Sequence, residues 1–252
     1  MADITDDIDS LFAEADRLID AGNPEGYGLL GEAHYILGDY ENASVAFEKG
    51  IEMKDPRSMY DFALMCYDGL VDNSRYDWYD AEKYMEMCYK TESDISVEAA
   101  VWLAEYFLDS AEGGDPEFAI DYLNYAADKG HKRATELLAD HYFSLAENED
   151  FKNEEANSLA FKYEQKAYED DPHEQSYNYG YMYFYGIGTP VNLRLALKLF
   201  EEDYEFGHKE GAEALADYYE KEGMEKDAKA WKKFALNAKR KTLERDNRYK
   251  TI

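Results

Sequence analysis

Five histidines and two cysteines are the side chains best suited to metal binding or nucleophilic catalysis in this 252-residue chain. Zinc sites place such ligands at close and regular spacing, as in the helical His-Glu-x-x-His motif. The sequence lacks that motif, and no histidine has a second histidine or a cysteine at ligand spacing. The histidines are His34, His131, His141, His173 and His208. We therefore predict neither a metal site nor a cofactor.

Glycines and carboxylates give no catalytic signature either. Gly186 and Gly188 lack the Lys-Ser or Lys-Thr of a phosphate-binding loop and are interpreted as a hairpin turn. With 56 Asp and Glu residues, some pairs lie close together by chance, so pairing is no evidence for a hydrolase. We predict that the protein is not an enzyme. A hydrolase whose site no motif reveals is the enzymatic alternative.

The charge is strongly acidic, with 27 Lys and Arg against 56 Asp and Glu and a formal net charge of −29. Nucleic acids and anionic membranes attract positive surfaces, so neither is an expected partner. The acidity serves either solubility, including in a salt-adapted host, or attraction of a basic partner. Residues 226–252 differ, with ten basic and three acidic residues. This basic end lies against the acidic body, against another copy in weak self-association, or in water.

The strongest pattern is an alanine that returns every 32 to 41 residues. A bulky residue follows it by three or four positions, and a mostly small residue follows it by seven. Such a period, with small residues where helices approach closely, is typical of stacked helical hairpins. The alanines are Ala43, Ala81, Ala119, Ala160, Ala196 and Ala228. The sequence therefore predicts an all-α fold, an α-solenoid of about six stacked antiparallel hairpins.

The first helix of each hairpin has its own small residue, with a large apolar residue before it and usually an aromatic one three positions later. These spacings place the residues on one helical face. The small residues are Gly31, Ala63, Ala104, Ala139, Gly180 and Ala216. Turns or hairpin junctions are predicted at 38–39, 55–56, 113–116, 129–131, 171–172, 186–190 and 206–208. Residues 1–23 are predicted as a capping helix, 24–240 as the solenoid and 241–252 as a basic helix end.

Two related repeat families resemble these units. The first unit resembles tetratricopeptide repeats at Tyr27, Leu30, Gly31, Ala43, Phe47 and Gly50, and the last unit is similar. The fifth unit resembles a Sel-one-like repeat (SLR) at 179–180, Tyr183, 186–188, Ala196, Phe200, 207–208 and Ala212. The resemblance covers residues 24–240. It implies a right-handed superhelix that acts as an adaptor in protein complexes, without chemistry of its own.

Cys66 and Cys88 fall at core positions of one repeat and predict buried thiols in a reducing compartment. They do not lie where extracellular SLR proteins carry paired cysteines. The first nine residues are acidic rather than signal-like, and no apolar run reaches the length of a membrane span. These features favour a cytoplasmic protein.

In such stacks the first helices line the concave wall, so the groove-facing positions follow by offset from each small residue. Five large apolar groups recur four positions after it, and carboxylates recur at neighbouring offsets. The alternative is that these rings only pack adjacent hairpins. The densest segment, residues 177–185, has six aromatics, more than one helical face can bury. The predicted partner-binding residues are Tyr35, Tyr60, Tyr67, Glu105, Asp140, Phe143, Tyr177, Tyr181 and Phe184.

The leading hypothesis for function is an interaction scaffold whose concave groove binds a basic or amphipathic segment of another protein. The alternative is an acidic inhibitor or immunity-type protein that blocks a nucleic-acid-binding enzyme by charge. The alternative predicts binding that disappears as salt rises.

Overall fold

The computed structural model describes the backbone of residues 2–72, 74–108 and 116–249, and the side chains of residues 7–72, 74–108 and 117–238. Over this range all regular structure is α-helical, which confirms the predicted all-α class. The helices are α1 (Ala2–Asp20), α2 (Glu25–Ile36), α3 (Tyr40–Glu52), α4 (Pro56–Tyr67), α5 (Tyr79–Tyr89), α6 (Ser96–Leu108), α7 (Pro116–Asp128), α8 (Lys132–Asn148), α9 (Glu154–Asp170), α10 (Pro172–Tyr185), α11 (Leu193–Phe206), α12 (Glu210–Lys221) and α13 (Glu225–Tyr249).

Consecutive helices pack in pairs as hairpins, beginning with α2 and α3 and ending with α12 and α13. The chain divides into two compact units, residues 1–131 and 132–252. In the first unit α1 packs against α2, and the hairpins contact one another through α3–α4 and α5–α6. In the second unit the corresponding contacts are α9–α10 and α11–α12.

Small residues lie where the helices of a hairpin approach closely. A Cβ atom on Gly31 would lie 2.4 Å from the ring of Phe47, and one on Gly180 would lie 2.9 Å from that of Phe200. Both phenylalanines are 1% exposed. Five of the six repeat alanines are fully buried and Ala228 is 4% exposed. The repeat spacing therefore marks the packing positions of the helices, as the sequence predicts.

Capping residues mark the starts and ends of helices at the predicted junctions. The Asp55 carboxylate accepts hydrogen bonds from the Ser58 amide at 2.8 Å and from the Ser58 hydroxyl at 2.6 Å, directly before Pro56 starts α4. Gly186 and Gly207 end α10 and α11 with φ of 73° and 105°, which glycine adopts without strain. Residues 113–115 of the predicted third turn lie outside the described residues.

Cys66 of α4 and Cys88 of α5 are buried and unpaired by any disulfide, as predicted. Burial raises the pKa of each thiol to about 12. None of the helices in the described range is both long and apolar enough to cross a bilayer. The side chains of the basic end, residues 239–252, lie outside the described residues, so the alternatives for that segment stay predictions.

Candidate functional site

Each unit has a pocket lined by the first helices of two neighbouring hairpins. The N-terminal pocket, between α2 and α4, has a volume of about 330 Å³. It is lined by Glu32, Tyr35, Ile36, Phe47, Arg57, Asp61, Leu64 and Asp68. The C-terminal pocket, between α10 and α12, has a volume of about 230 Å³. It is lined by Tyr177, Tyr181, Phe184, Tyr185, Phe200, Glu210, Glu213, Ala214, Asp217, Tyr218 and Lys221.

The two pockets use equivalent repeat positions. Counted from the small residue of the leading first helix, both use positions +1, +4 and +5, which are residues 32, 35 and 36 in one and 181, 184 and 185 in the other. Both have a buried phenylalanine four residues after the repeat alanine, Phe47 or Phe200. Both use positions −6, −2, +1 and +5 of the following first helix. The repeat itself therefore creates the pocket.

The aromatic segment of α10, residues 177–185, divides between two faces. Tyr179 is buried, stacks on Tyr168 of α9 with a centroid distance of 4.8 Å, and has its hydroxyl 3.2 Å from that of Tyr183. The rings that line the C-terminal pocket are Tyr177, Tyr181, Phe184 and Tyr185. The Tyr185 side of this surface is open, since that residue is 54% exposed.

The inner wall of the C-terminal pocket is a set of packed rings. The Phe184 ring lies 5.9 Å from that of Phe200 and 5.9 Å from that of Tyr218, centroid to centroid. The Tyr177 ring lies 5.7 Å from that of Phe200. Because Phe200 is buried beneath them, the half-buried rings of Tyr177 and Phe184 are held in place rather than free to collapse.

The α12 wall of this pocket is acidic. Glu210, Glu213 and Asp217 face it, with Lys221 as the lining cation. Lys209 lies at the edge, with its Nζ 2.9 Å from Glu213 and 3.4 Å from Glu210. Burial opposes the ionisation of Glu210, but hydrogen bonds and Lys209 outweigh it and lower the pKa of that carboxyl. The pocket therefore combines aromatic surface with an excess of negative charge.

The N-terminal pocket also combines apolar surface with carboxyl groups, and its lining includes the cationic side chain of Arg57. Arg57 Nε lies 2.9 Å from the Asp61 carboxylate, and its terminal nitrogen lies 3.4 Å from Glu32. Burial raises the pKa of Asp61, although Arg57 acts in the opposite direction. Tyr35 and Ile36 supply the apolar rim and are 40% and 50% exposed. Two carboxylates thus pair with one guanidinium beside exposed apolar surface, and Asp68 adds a third acidic group to the lining.

Some predicted residues lie elsewhere in the first unit. Tyr60 packs against the core, and Glu105 is exposed on α6. The exposed Tyr67 ring contacts Trp102 edge to face with a centroid distance of 5.3 Å. Trp102 occupies position −2 of α6, which Asp61 occupies in the N-terminal pocket. The bulky indole therefore stands where the repeat would otherwise leave space.

The two predicted residues of α8 also lie outside the pockets. The Phe143 ring packs against Phe151 and Tyr181, with centroid distances of 5.8 and 6.0 Å. Asp140 is exposed, and its charge raises the pKa of the buried Glu164. The structure thus brings three predicted residues, at 177, 181 and 184, into the C-terminal pocket and Tyr35 into the other.

Sequence reasoning missed several lining residues. Ile36 and Tyr185 share position +5, while Arg57 and Glu210 share position −6. The predicted partner-binding residues come from offsets −3, +1 and +4 alone. Extending the count by one residue would have found the first pair, because position +5 neighbours position +1 on a helix.

No protein-family model matches this chain. Solved structures are nevertheless similar over most of it. A protective antigen of uropathogenic Escherichia coli with an SLR fold superposes with a TM-score of 0.62 at 20% identity, covering 93% of this chain and 52% of its own. A Sel1 repeat protein from Oxalobacter formigenes superposes with a TM-score of 0.62 at 19% identity, covering 84% of this chain and 85% of its own. The chain has the SLR fold.

This fold agrees with the repeat resemblance in the sequence. The chain spans about half the length of the Escherichia coli antigen. In the SLR fold the repeats position side chains, and the chemistry of a surface depends on the residues at the variable positions. Here those residues are the rings and carboxylates of the two pockets.

Proposed function

We propose that this protein is a non-enzymatic interaction scaffold, and that its pockets bind a basic or amphipathic segment of a partner protein. The observation that carries the proposal is the equivalence of the two pockets. Both are built from equivalent lining positions of the repeat, and each presents apolar or aromatic surface beside three carboxyl groups, although those groups occupy different positions in the two pockets. A role in hairpin packing alone would not require exposed rings and carboxylates to recur together.

The chemistry of the pockets suits lysine, arginine and large apolar side chains. A lysine or arginine stem can pack on rings such as Tyr181 while its charged end meets Glu213 or Asp217. Rings that are already fixed by packing lose little side-chain entropy on binding. The C-terminal pocket is therefore the preferred anchor site.

The formal net charge of −29 favours a second candidate, an acidic inhibitor that blocks a nucleic-acid-binding enzyme. The two candidates differ in their dependence on salt. Exposed charge pairs are screened at moderate ionic strength, whereas ring burial is not. Binding that survives about 0.5 M salt supports the scaffold, and binding that vanishes there supports the inhibitor.

A displayed random-peptide library tests the scaffold directly. Selection on the full chain is expected to enrich peptides that combine Lys or Arg with large apolar residues. The double variant Tyr181→Ala, Phe184→Ala should bind them at least tenfold more weakly, about 1.4 kcal/mol, because aromatic anchors dominate such interfaces. Affinity is measured by fluorescence polarisation.

The matched control is Tyr79→Ala, which removes an equally large ring that is 61% exposed and lines neither pocket. It should leave peptide affinity unchanged. Equal binding by the double variant and the wild type, with both folded by circular dichroism, would show that the pocket is not the binding site.

A further inference from the structure

Two histidines that are distant in sequence meet at one end of the second unit. We propose that His173, His208 and Glu174 bind a transition-metal dication such as Zn²⁺. His173 and Glu174 lie in the first turn of α10, and His208 lies in the junction between α11 and α12. One ligand atom from each residue lies within 4.8 Å of the other two. Sequence spacing does not reveal this cluster, and the proposal departs from the prediction, made from spacing, that the chain has no metal site.

Asp203 gives His208 the arrangement of a metal ligand. Its carboxylate Oδ1 lies 3.1 Å from His208 Nδ1, and its Oδ2 accepts a hydrogen bond from the Gly211 amide at 2.7 Å. Asp203 is only 1% exposed, so its position is fixed by packing. A carboxylate on one ring nitrogen sets the tautomer and leaves Nε2 of His208 for the ion. Metal-binding histidines commonly have such a partner.

His173 and Glu174 lie close to the spacing that tetrahedral coordination of a metal ion requires. Two ligands on a tetrahedral ion with bonds of about 2.1 Å lie about 3.4 Å apart. His173 Nδ1 and Glu174 Oε1 are already 3.1 Å apart. Their side chains are 48% and 61% exposed, so small rotations can close the distance to His208. Two imidazoles and one carboxylate favour Zn²⁺, Ni²⁺ or Cu²⁺ over Mg²⁺ and Ca²⁺.

The repeat explains why the ligands converge. His173 directly follows the junction between α9 and α10, and His208 lies in the junction between α11 and α12. Stacking one hairpin on the next brings consecutive junctions side by side, although 35 residues separate the two histidines in sequence. A bound ion would link the start of α10 to the start of α12, the two helices of the C-terminal pocket.

Isothermal titration of the metal-free full chain with Zn²⁺ tests the site. We expect one zinc per chain with a dissociation constant on the order of 1 µM or tighter, and a melting temperature several degrees higher in excess zinc. Mg²⁺ at the same concentration should not raise it. His173→Ala and His208→Ala should each weaken zinc binding at least tenfold, and Asp203→Asn roughly tenfold through loss of orientation.

The matched control is His141→Ala, which removes a histidine of the same unit that is not part of the cluster. It should bind zinc as the wild type does. Since His173 is exposed, its variant is expected to fold, and circular dichroism checks this. Unchanged zinc affinity in the His173→Ala, His208→Ala double variant, or a wild-type dissociation constant weaker than about 100 µM, would overturn the proposal.

Discussion

Replacing Gly211 with alanine is expected to lower the free energy of unfolding of the second unit by about 3 kcal/mol. A Cβ atom there would lie 2.2 Å from the backbone carbonyl oxygen of Phe200 and 2.8 Å from the Asp203 carboxylate. A carbonyl in the middle of a helix cannot rotate away, so α11 and α12 have to move apart. That movement would also stretch the hydrogen bond between the Gly211 amide and Asp203.

Urea unfolding measures this loss in the free energy of unfolding. Hydrogen exchange of the α11 and α12 amides shows whether the loss is local to these two helices. Gly223→Ala is the matched control, because that glycine has a φ of 74° and no atom within 4 Å of the added carbon. Its cost is backbone strain alone, about 1 kcal/mol. If Gly211→Ala proved no less stable than Gly223→Ala, the close approach of the two helices would be wrong.

Replacing Glu164 with glutamine is expected to remove a loss of stability that the wild type suffers between about pH 4.5 and pH 8. Glu164 of α9 is 2% exposed, and its Oε1 has no hydrogen-bond partner among the described residues. Burial, followed by repulsion from Asp140, raises the pKa of this carboxyl from 4.5 to about 8. The side chain is therefore neutral in the folded protein at pH 7.

The free energy of unfolding falls as pH rises because the folded state holds the Glu164 proton more tightly than the unfolded state. Below pH 4.5 the carboxyl is protonated in both states, and its burial carries no charge penalty. Between pH 4.5 and 8 the unfolded chain releases the proton and the folded chain keeps it, so stability falls by about 1.4 kcal/mol per pH unit. Above pH 8 the contribution is constant. The total is at most about 5 kcal/mol.

Thermal unfolding from pH 5 to pH 9 measures the effect. Glu164→Gln keeps the shape of the neutral acid, so its stability should fall less across this range and exceed that of the wild type at pH 9. Asp140→Asn is the companion variant, and it should shift the wild-type transition slightly towards lower pH by removing the repulsion. Parallel pH profiles for wild type and Glu164→Gln would contradict a buried neutral carboxyl.

Much of the fold follows from the sequence because helical packing depends on spacing. Gly31 and Gly180 lie under phenylalanine rings, and only a residue without a Cβ atom fits there. The period of the alanines therefore identifies the hairpins. The division of the six rings of α10 between two faces was also foreseeable, since one helical face is too narrow for all of them.

Other features depend on distances that sequence spacing does not encode. Glu164 resembles a solvent-facing residue of an acidic helix, and its burial emerges only when α8 and α9 pack together. His173 and His208 meet because two junctions stack, not because they share a motif. Repeat positions alone also fail to predict where a pocket is absent. The indole of Trp102 packs against Tyr67 at the repeat position that Asp61 occupies in the N-terminal pocket.

The two cysteines provide a natural reporter of local opening in the first unit. Cys66 and Cys88 belong to the two helices of a single hairpin and are both shielded from water. Since the thiolate is the reactive species, alkylating reagents can label them at neutral pH only when this hairpin separates. The labelling rate therefore reads out the opening equilibrium of α4 and α5, with no need for an engineered probe.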